Sequence, residues 1–265
     1  MEDAPVGPVA ATVEVGECRL RTATWGSAGA PDGAPDVVML HDGLGSIRQW
    51  RDTPALLAAR TGLTVTAYER AGHGASTPVP TGGWPADWLH REAVVLGGLL
   101  QAVGAPDPVL VGHSDGGSIA AIHAATTPTE SPLVLLAAHS WVEHLTSSSI
   151  AAMRENPEPY IAGLARSHDH PSAVFGAWSI VWTSDAFATW DIRPMLSGVE
   201  APTLVVQGDG DEYASSEHAF ATAQVIGDNA RVELLAGLGH LLHHEDAERV
   251  VDVVADFVLR TIDED

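Results

Sequence analysis

The stretch VLVGHSDGG at residues 109–117 decides the fold. A run of valine and leucine leads directly into Gly112-His113-Ser114-Asp115-Gly116, and small residues follow to about position 126. The apolar run predicts a buried strand, and the small residues predict a closely packed helix. A turn this sharp strains its central residue, and the flanking glycines prevent collisions between Cβ atoms. Ser114 is therefore predicted at a strand-to-helix turn with its hydroxyl held above the sheet. An ordinary helix N-cap is the alternative.

Short β-type runs alternate with helical patterns on both sides of this turn. Strands are predicted at residues 9–15, 19–25, 37–40, 63–68, 108–111, 133–136, 203–206 and 231–235. Helices are predicted at about residues 49–60, 84–102, 116–126 and 245–260. This alternation predicts an α/β fold, with a mostly parallel sheet that carries helices on both faces.

The alternation stops between residues 139 and 197, where no buried strand is predicted. We interpret this segment as a small helical cap inserted into a core formed by residues 1–138 and 198–265. Half of the eight tryptophans lie in the segment. The underside of a cap forms the roof of the pocket, so Trp141, Trp178 and Trp182 are predicted to line the substrate pocket. Trp178 and Trp182 are spaced to share one face of a helix.

The composition limits the partners. The chain of 265 residues has 13 basic residues, all arginine, and 35 acidic ones, which gives a net charge of −22. Such a surface repels phosphate backbones and anionic headgroups, so neither nucleic acid nor membrane is an expected partner. A single cysteine and an N-terminus without signal-peptide features favour a cytoplasmic protein. We expect a monomer or homodimer that acts on a small molecule.

A serine nucleophile needs a histidine base and an acid that orients it. The strand at residues 203–206 is followed by a loop with three carboxylates, Asp209, Asp211 and Glu212, and the last strand is followed by Gly239-His240. Both loops leave the carboxyl ends of strands, where α/β sheets place their ligands. His240 is the predicted base, and the loop supplies the acid.

Catalysis of acyl transfer also needs two donors aimed at the oxyanion. The backbone N–H of Asp115 is one predicted donor. The second is expected in the turn after the strand at residues 37–40, which reads His-Asp-Gly-Leu-Gly-Ser at positions 41–46. Its donor is either Gly43 or Leu44.

Together, these motifs resemble the α/β-hydrolase superfamily over nearly the whole chain, in the branch of capped esterases, lactonases and carbon–carbon hydrolases. The resemblance implies a Ser114–Asp211–His240 triad, favours Gly43 as the second oxyanion donor, and implies no cofactor. The expected reaction is hydrolysis of an ester, thioester or lactone of a small to medium, partly apolar acid through an acyl-enzyme on Ser114.

Two other functions stay open. A carbon–carbon bond hydrolase or related lyase would use the same triad, with cap arginines such as Arg154, Arg166 or Arg193 for a carboxylate. A non-catalytic ligand receptor is disfavoured because all three triad positions are filled.

His240, His243 and His244 could chelate a metal on a helix, but no metal is expected because His240 serves as base. His168, in a polar loop, is expected to be solvated.

Overall fold

The computed structural model describes residues 7–26 and 34–263. Eight strands form one sheet: β1 (Val9–Val15), β2 (Cys18–Trp25), β3 (Val37–Leu40), β4 (Val65–Tyr68), β5 (Val109–His113), β6 (Leu133–Leu136), β7 (Thr203–Gly208) and β8 (Ala230–Leu235). Their order is β1-β2-β4-β3-β5-β6-β7-β8. β1 and β2 pair antiparallel, as do β2 and β4, and the other neighbours are parallel. The predicted fold class is confirmed.

Helices cover both faces of the sheet. They are α1 (Thr53–Thr61), α2 (Trp88–Ala102), α3 (Asp115–Thr126), α4 (His144–Glu155), α5 (Glu158–Leu164), α6 (Pro171–Trp182), α7 (Arg193–Leu196), α8 (Glu217–Ile226), α9 (Leu242–Glu245) and α10 (Ala247–Asp263). α1 packs with α10 over one face, and α2 packs with α3 over the other. The central strands β3, β5, β6 and β7 are buried along their whole length, because helices cover both faces of the sheet.

α1 and α2 each begin about four residues later than the sequence predicts. A 3-10 turn at Ile47–Trp50 precedes α1, because Arg51 adopts a φ of 51° that a helix cannot continue through. α2 begins at Trp88, after Pro85, rather than at Trp84. α8 has no counterpart among the predicted helices.

Four helices, α4 to α7, lie between β6 and β7. They belong to the segment at residues 139–197, which we call the insertion. The described insertion adds no strand to the sheet, and its only bridge pairs Trp141 with Asp191. Its aromatic side chains continue the core that covers the α2–α3 face of the sheet, with Phe175, Trp182 and Phe187 buried.

The parallel strands end at one edge of the sheet, where their loops meet. β3 leads into the His41–Asp42 turn, β5 into Ser114, and β7 and β8 into the loops of Asp211 and His240. The next two strands in sequence, β4 and β5, lie on opposite sides of β3. The order of strands therefore reverses at β3, and the loops that follow β3 and β5 border a crevice. Ligands of α/β folds bind at such a switch point.

Candidate active site

Ser114 occupies a strained turn between β5 and α3. Its φ of 54° and ψ of −120° are unfavourable for a residue with a side chain. The turn closes because its neighbours lack Cβ atoms: a Cβ on Gly116 would overlap the carbonyl oxygen of Leu40, and one on Gly112 would overlap the backbone of Gly116. The geometry holds the Ser114 hydroxyl at the edge of the sheet.

The structure brings Ser114, His240 and Asp211 together in one hydrogen-bonded chain. Ser114 Oγ lies 3.0 Å from His240 Nε2. His240 Nδ1 lies 2.8 Å from Asp211 Oδ2 and 3.0 Å from Oδ1. The bond to Asp211 places the imidazole proton on Nδ1, so that Nε2 can accept the serine proton. Asp211 and Ser114 lie 29 and 126 positions before His240 in the sequence, and the three residues meet because their loops leave the same edge of the sheet.

Backbone bonds fix the orientation of the imidazole. The N–H of His240 donates to Glu212 Oε2 at 3.1 Å, and its carbonyl accepts from His113 Nε2 at 2.8 Å. Asp211 is held by Gln207 Nε2 at 2.8 Å and by the N–H groups of Tyr213 and Ala214. Sequence reasoning did not identify Gln207 or His113 as supporting residues.

The three carboxylates of the acid loop have different partners. Asp211 faces the imidazole of His240. Asp209 accepts the N–H of Gly237 at 2.7 Å, and Glu212 accepts the backbone N–H of His240. Only Asp211 of these three therefore stands where it can orient the ring.

The charges of this pair favour a proton on the histidine. Burial alone would lower the pKa of His240, but the hydrogen bond and the charge of Asp211 outweigh it and raise the pKa above 6.5. Burial alone would raise the pKa of Asp211, but His240 and the backbone donors hold it below its usual value. Asp211 therefore stays ionised and stabilises an imidazolium at position 240.

The geometry distinguishes the two candidates for the second oxyanion donor. The N–H of Leu44 donates to Asp42 Oδ1 at 2.8 Å. Within the described residues, the N–H groups of Gly43 and Asp115 have no hydrogen-bond acceptor. Gly43 and Asp115 therefore present the free donors beside Ser114.

The carboxyl group of Asp115 points away from solvent. The indole N–H of Trp178 donates to its Oδ2 at 3.1 Å, and that of Trp182 lies 3.5 Å from the same atom. Burial raises the pKa of Asp115 to about 6. A Cβ on Gly43 would overlap both the Asp115 carboxyl and the Trp178 indole. Asp115 thus links α3 to α6 directly behind the candidate oxyanion turn.

A cavity of about 500 Å³ borders Ser114 and His240. Its size lies in the range of small-molecule sites. Apolar and aromatic residues that line it are Leu44, Met153, Pro159, Tyr160, Leu164, Trp178, Tyr213 and Leu241. Polar ones are Asp42, Arg48, Gln49, Arg51, Arg166, Ser167 and His244. Most of the apolar wall comes from α4, α5 and α6 of the insertion.

Of the three tryptophans predicted to line the pocket, the structure places only Trp178 there. Trp182 is 1% exposed and packs on Phe187 in the core, since one further turn of α6 carries it past the cavity. Trp141 stacks on His218 at 3.7 Å between ring centroids, and the Arg193 guanidinium covers it. The prediction is wrong for Trp141 and Trp182.

The profile of the alpha/beta hydrolase family matches residues 37–253. The chain belongs to the alpha/beta hydrolase family. The match spans the sheet from β3 onward and every residue of the Ser114–His240–Asp211 chain.

Proteins similar to this alpha/beta hydrolase are named after several different activities. A non-heme haloperoxidase of Rhodococcus erythropolis is 26% identical, over 88% of this chain and 93% of its own. A bifunctional esterase/perhydrolase of Acinetobacter calcoaceticus is 22% identical, over 85% of this chain and 91% of its own. The crystal structure of a proline iminopeptidase from Mycobacterium smegmatis superposes with a TM-score of 0.73 at 22% identity, covering 97% of this chain and 100% of that one. The structural likeness shows a shared fold.

The described residues contain neither a metal-binding cluster nor a helix that could span a membrane. No group of three or more His, Cys, Asp or Glu side chains in residues 7–26 and 34–263 is arranged to hold a metal ion. His243 is buried against Trp50, and His244 Nε2 bonds to the carbonyl of Gln49. In the same ranges, no helix has both the length and the apolar character needed to cross a bilayer.

Replacing Asp211 by asparagine should lower kcat by about three to four orders of magnitude, because an amide neither fixes the Nδ1–H tautomer nor stabilises the imidazolium. Asp209→Asn is the matched control two residues away and should stay within a few-fold of wild type, since it contacts only the Gly237 amide. Steady-state kinetics on one ester will compare them. A collapse in Asp209→Asn with normal activity in Asp211→Asn would contradict the assignment.

Proposed function

We propose that this alpha/beta hydrolase is a serine hydrolase that cleaves a carboxylic ester, thioester or lactone through an acyl-enzyme on Ser114. The observation that carries the proposal is the hydrogen-bonded chain from Ser114 Oγ through His240 to Asp211. A serine hydroxyl becomes a useful nucleophile when such a base accepts its proton.

In the first half-reaction, Ser114 Oγ attacks the acyl carbon while its proton moves to His240 Nε2. The oxyanion that forms accepts hydrogen bonds from the N–H groups of Gly43 and Asp115. The C–O or C–S bond then breaks, and the leaving group takes the proton from His240. Asp211 stabilises the imidazolium between these two transfers.

In the second half-reaction, water attacks the acyl-enzyme. His240 Nε2 takes a proton from the water and returns it to Ser114 Oγ when the ester bond to the serine breaks. The products are the free acid and the regenerated enzyme. The same two donors stabilise the second oxyanion.

The cavity supports a small to medium, partly apolar acyl group. Its volume of about 500 Å³ and its wall of leucine, methionine and aromatic side chains suit an acyl chain of several carbons. The relative from Acinetobacter calcoaceticus, named an esterase/perhydrolase, supports ester chemistry on this fold.

Carbon–carbon bond hydrolysis is the second candidate. It is supported by Arg166 in the cavity wall, which could hold a carboxylate, and by a 71-residue match to a 2-hydroxy-6-oxo-6-phenylhexa-2,4-dienoate hydrolase of Comamonas testosteroni. Two of the cap arginines considered for this role are engaged elsewhere: Arg193 pairs with Asp191, and Arg154 bonds to Thr183. Ester hydrolysis needs no such group and is therefore favoured.

A p-nitrophenyl ester tests the proposal directly. Expulsion of nitrophenolate should be faster than attack of water, so that a burst of about one nitrophenolate per active site precedes steady turnover. Esters, thioesters and lactones should then be compared with a vinylogous diketone. Rapid cleavage of the diketone with no turnover of the acyl substrates would replace the proposal with carbon–carbon hydrolysis.

The value of kcat should fall as the pH is lowered, because His240 becomes protonated. Both half-reactions need a neutral imidazole, and Asp211 raises the pKa of His240, so the acid limb of kcat should lie above pH 6.5. In Asp211→Asn the residual activity should fall at a lower pH than in the wild type, because the charge that raises the pKa of His240 is gone. Profiles of kcat measured over short times, in which the protein stays folded, will test this. An identical limb in both proteins would show that another group controls it.

A further inference from the structure

Three arginines, Arg48, Arg51 and Arg166, line the cavity that borders Ser114. All three are exposed, so they lie at its rim rather than on its floor. We propose that they bind an anionic group, a carboxylate or a phosphate, on the end of the substrate remote from the scissile bond. This inference rests on the proposed function and names the substrate class of the same site.

The three arginines have no acidic partner. In the described part of the chain, no carboxylate oxygen lies within 4.0 Å of their guanidinium nitrogens. Four other exposed arginines, Arg60, Arg91, Arg193 and Arg260, each pair with a carboxylate. The cavity lining thus gathers three of the 13 basic residues of the chain, none of them paired with a carboxylate. Their charge is therefore available to a ligand.

Hydrogen bonds to the backbone hold two of these side chains at the rim. Arg48 Nη1 donates to the carbonyl of Arg166 at 3.0 Å and so joins the turn after β3 to the insertion. Arg51 Nη1 donates to the carbonyl of His244 at 3.2 Å. Each bond uses one of five guanidinium donors, and the others can bind a carboxylate or phosphate in the bidentate way that arginine favours.

Arg51 also has an unusual backbone conformation. Its φ of 51° is close to that of Ser114 and is adopted by few residues other than glycine. Such strain concentrates at functional sites. A glycine would adopt this conformation freely but would leave the rim without the guanidinium.

The acidic residue among those that line the cavity is Asp42, and its carboxylate is engaged. Oδ1 accepts the N–H of Leu44 at 2.8 Å, and Oδ2 lies 3.5 Å from His113 Nδ1. The wall of the same cavity also includes Leu44, Leu164 and Leu241. A substrate with an apolar spacer between its acyl carbon and its anion therefore suits a cavity that combines Ser114, apolar side chains and arginines.

A matched pair of substrates tests the proposal. Mono-p-nitrophenyl adipate has a free carboxylate, and its methyl ester has the same chain without the charge. A third ester, of 6-phosphonooxyhexanoic acid, presents a phosphate instead. The wild-type enzyme should use the anionic esters with about tenfold higher kcat/KM than the neutral one, mainly through KM, because charge-assisted hydrogen bonds act in binding. The better of the two anions identifies the natural group.

Arg166→Gln and Arg48→Gln should each lose about three- to tenfold in kcat/KM for the anionic esters and leave the neutral ester unchanged. Arg154→Gln is the control, because Arg154 is an exposed arginine of the insertion that does not line the cavity. Equal use of charged and neutral esters by the wild type, or equal losses on both in the variants, would overturn the proposal.

Binding separates this proposal from the proposed function. Ser114→Ala should bind mono-p-nitrophenyl adipate about tenfold more tightly than its methyl ester, as titration calorimetry would report. If the wild type hydrolyses neither ester but this preference is present, ester hydrolysis fails and the anion site stands. If both esters are hydrolysed and the preference is absent, the anion site fails and ester hydrolysis stands.

Discussion

Ser114→Ala should fold normally and lose hydrolytic activity by about 10⁵-fold or more in kcat, because the nucleophile acts as a unit with its base and removing either removes the whole effect. Residual turnover should come only from the oxyanion donors and the cavity. The strained turn accepts alanine, since its close approaches involve Gly112 and Gly116 rather than the Ser114 side chain.

Ser118→Ala is the matched control for this variant. Ser118 lies one turn further along α3, is fully buried, and donates to the carbonyl of His139 at 2.7 Å. Losing that bond should cost about 1 kcal/mol of the free energy of unfolding and change kcat only a few-fold. Steady-state kinetics with thermal melts on both variants make the comparison. More than a few per cent of activity in Ser114→Ala would refute its role as nucleophile.

The protein should lose stability steeply between pH 7 and pH 5. Four fully buried histidines, His41, His73, His139 and His243, have pKa values held well below 6.5 by burial. Below pH 6.5 the unfolded chain protonates these rings and the folded protein does not. Unfolding therefore takes up protons, and each ring costs about 1.4 kcal/mol of stability for each pH unit below 6.5.

Two acids oppose this trend: Asp115, which is buried, and Glu92, which is half-buried. Burial raises the pKa of Asp115 to about 6 and that of Glu92 to about 7, so the folded protein binds their protons before the unfolded chain does. They add stability as the pH falls toward about 4. The histidines outnumber them, so the free energy of unfolding should fall by roughly 2–3 kcal/mol for each pH unit between pH 6 and pH 5.

Urea denaturation at a series of pH values and constant ionic strength will measure the slope. His243→Phe removes one buried imidazole that packs on Trp50 and should make the slope shallower by about 1.4 kcal/mol per pH unit. His144→Gln, an exposed histidine at the start of α4, should leave the slope unchanged. A free energy of unfolding that is independent of pH from 7 to 5 would contradict this account.

The sequence predicted the local parts of the site well. β3 and β6 begin and end as predicted, and Ser114 stands at the turn that its glycine neighbours indicate. These features depend on apolar runs and on small residues within a few positions, which sequence patterns report directly. The family resemblance then indicated which loop carboxylate faces His240, a choice that the local pattern left open.

Features set by packing between distant elements could not be predicted. The i, i+4 spacing of Trp178 and Trp182 indicates a shared helix face but not where the cavity ends along α6. α8 was missed because polar residues occupy its buried positions: His218 accepts the N–H of Ser140, and Thr222 bonds to the Ser140 hydroxyl. His168, expected in solvent, is buried because its two ring nitrogens bond to Gly74 and Leu44.

Covalent labelling can show whether Ser114 is the nucleophile. A fluorophosphonate reacts with a serine that a neighbouring base has activated. After reaction at pH 8, digestion and peptide mass spectrometry will locate the adduct. We expect one phosphonyl group per chain, on Ser114, with no labelling of Ser114→Ala and slow labelling of Asp211→Asn. An adduct on another residue, or an unlabelled protein that still hydrolyses esters, would contradict this assignment.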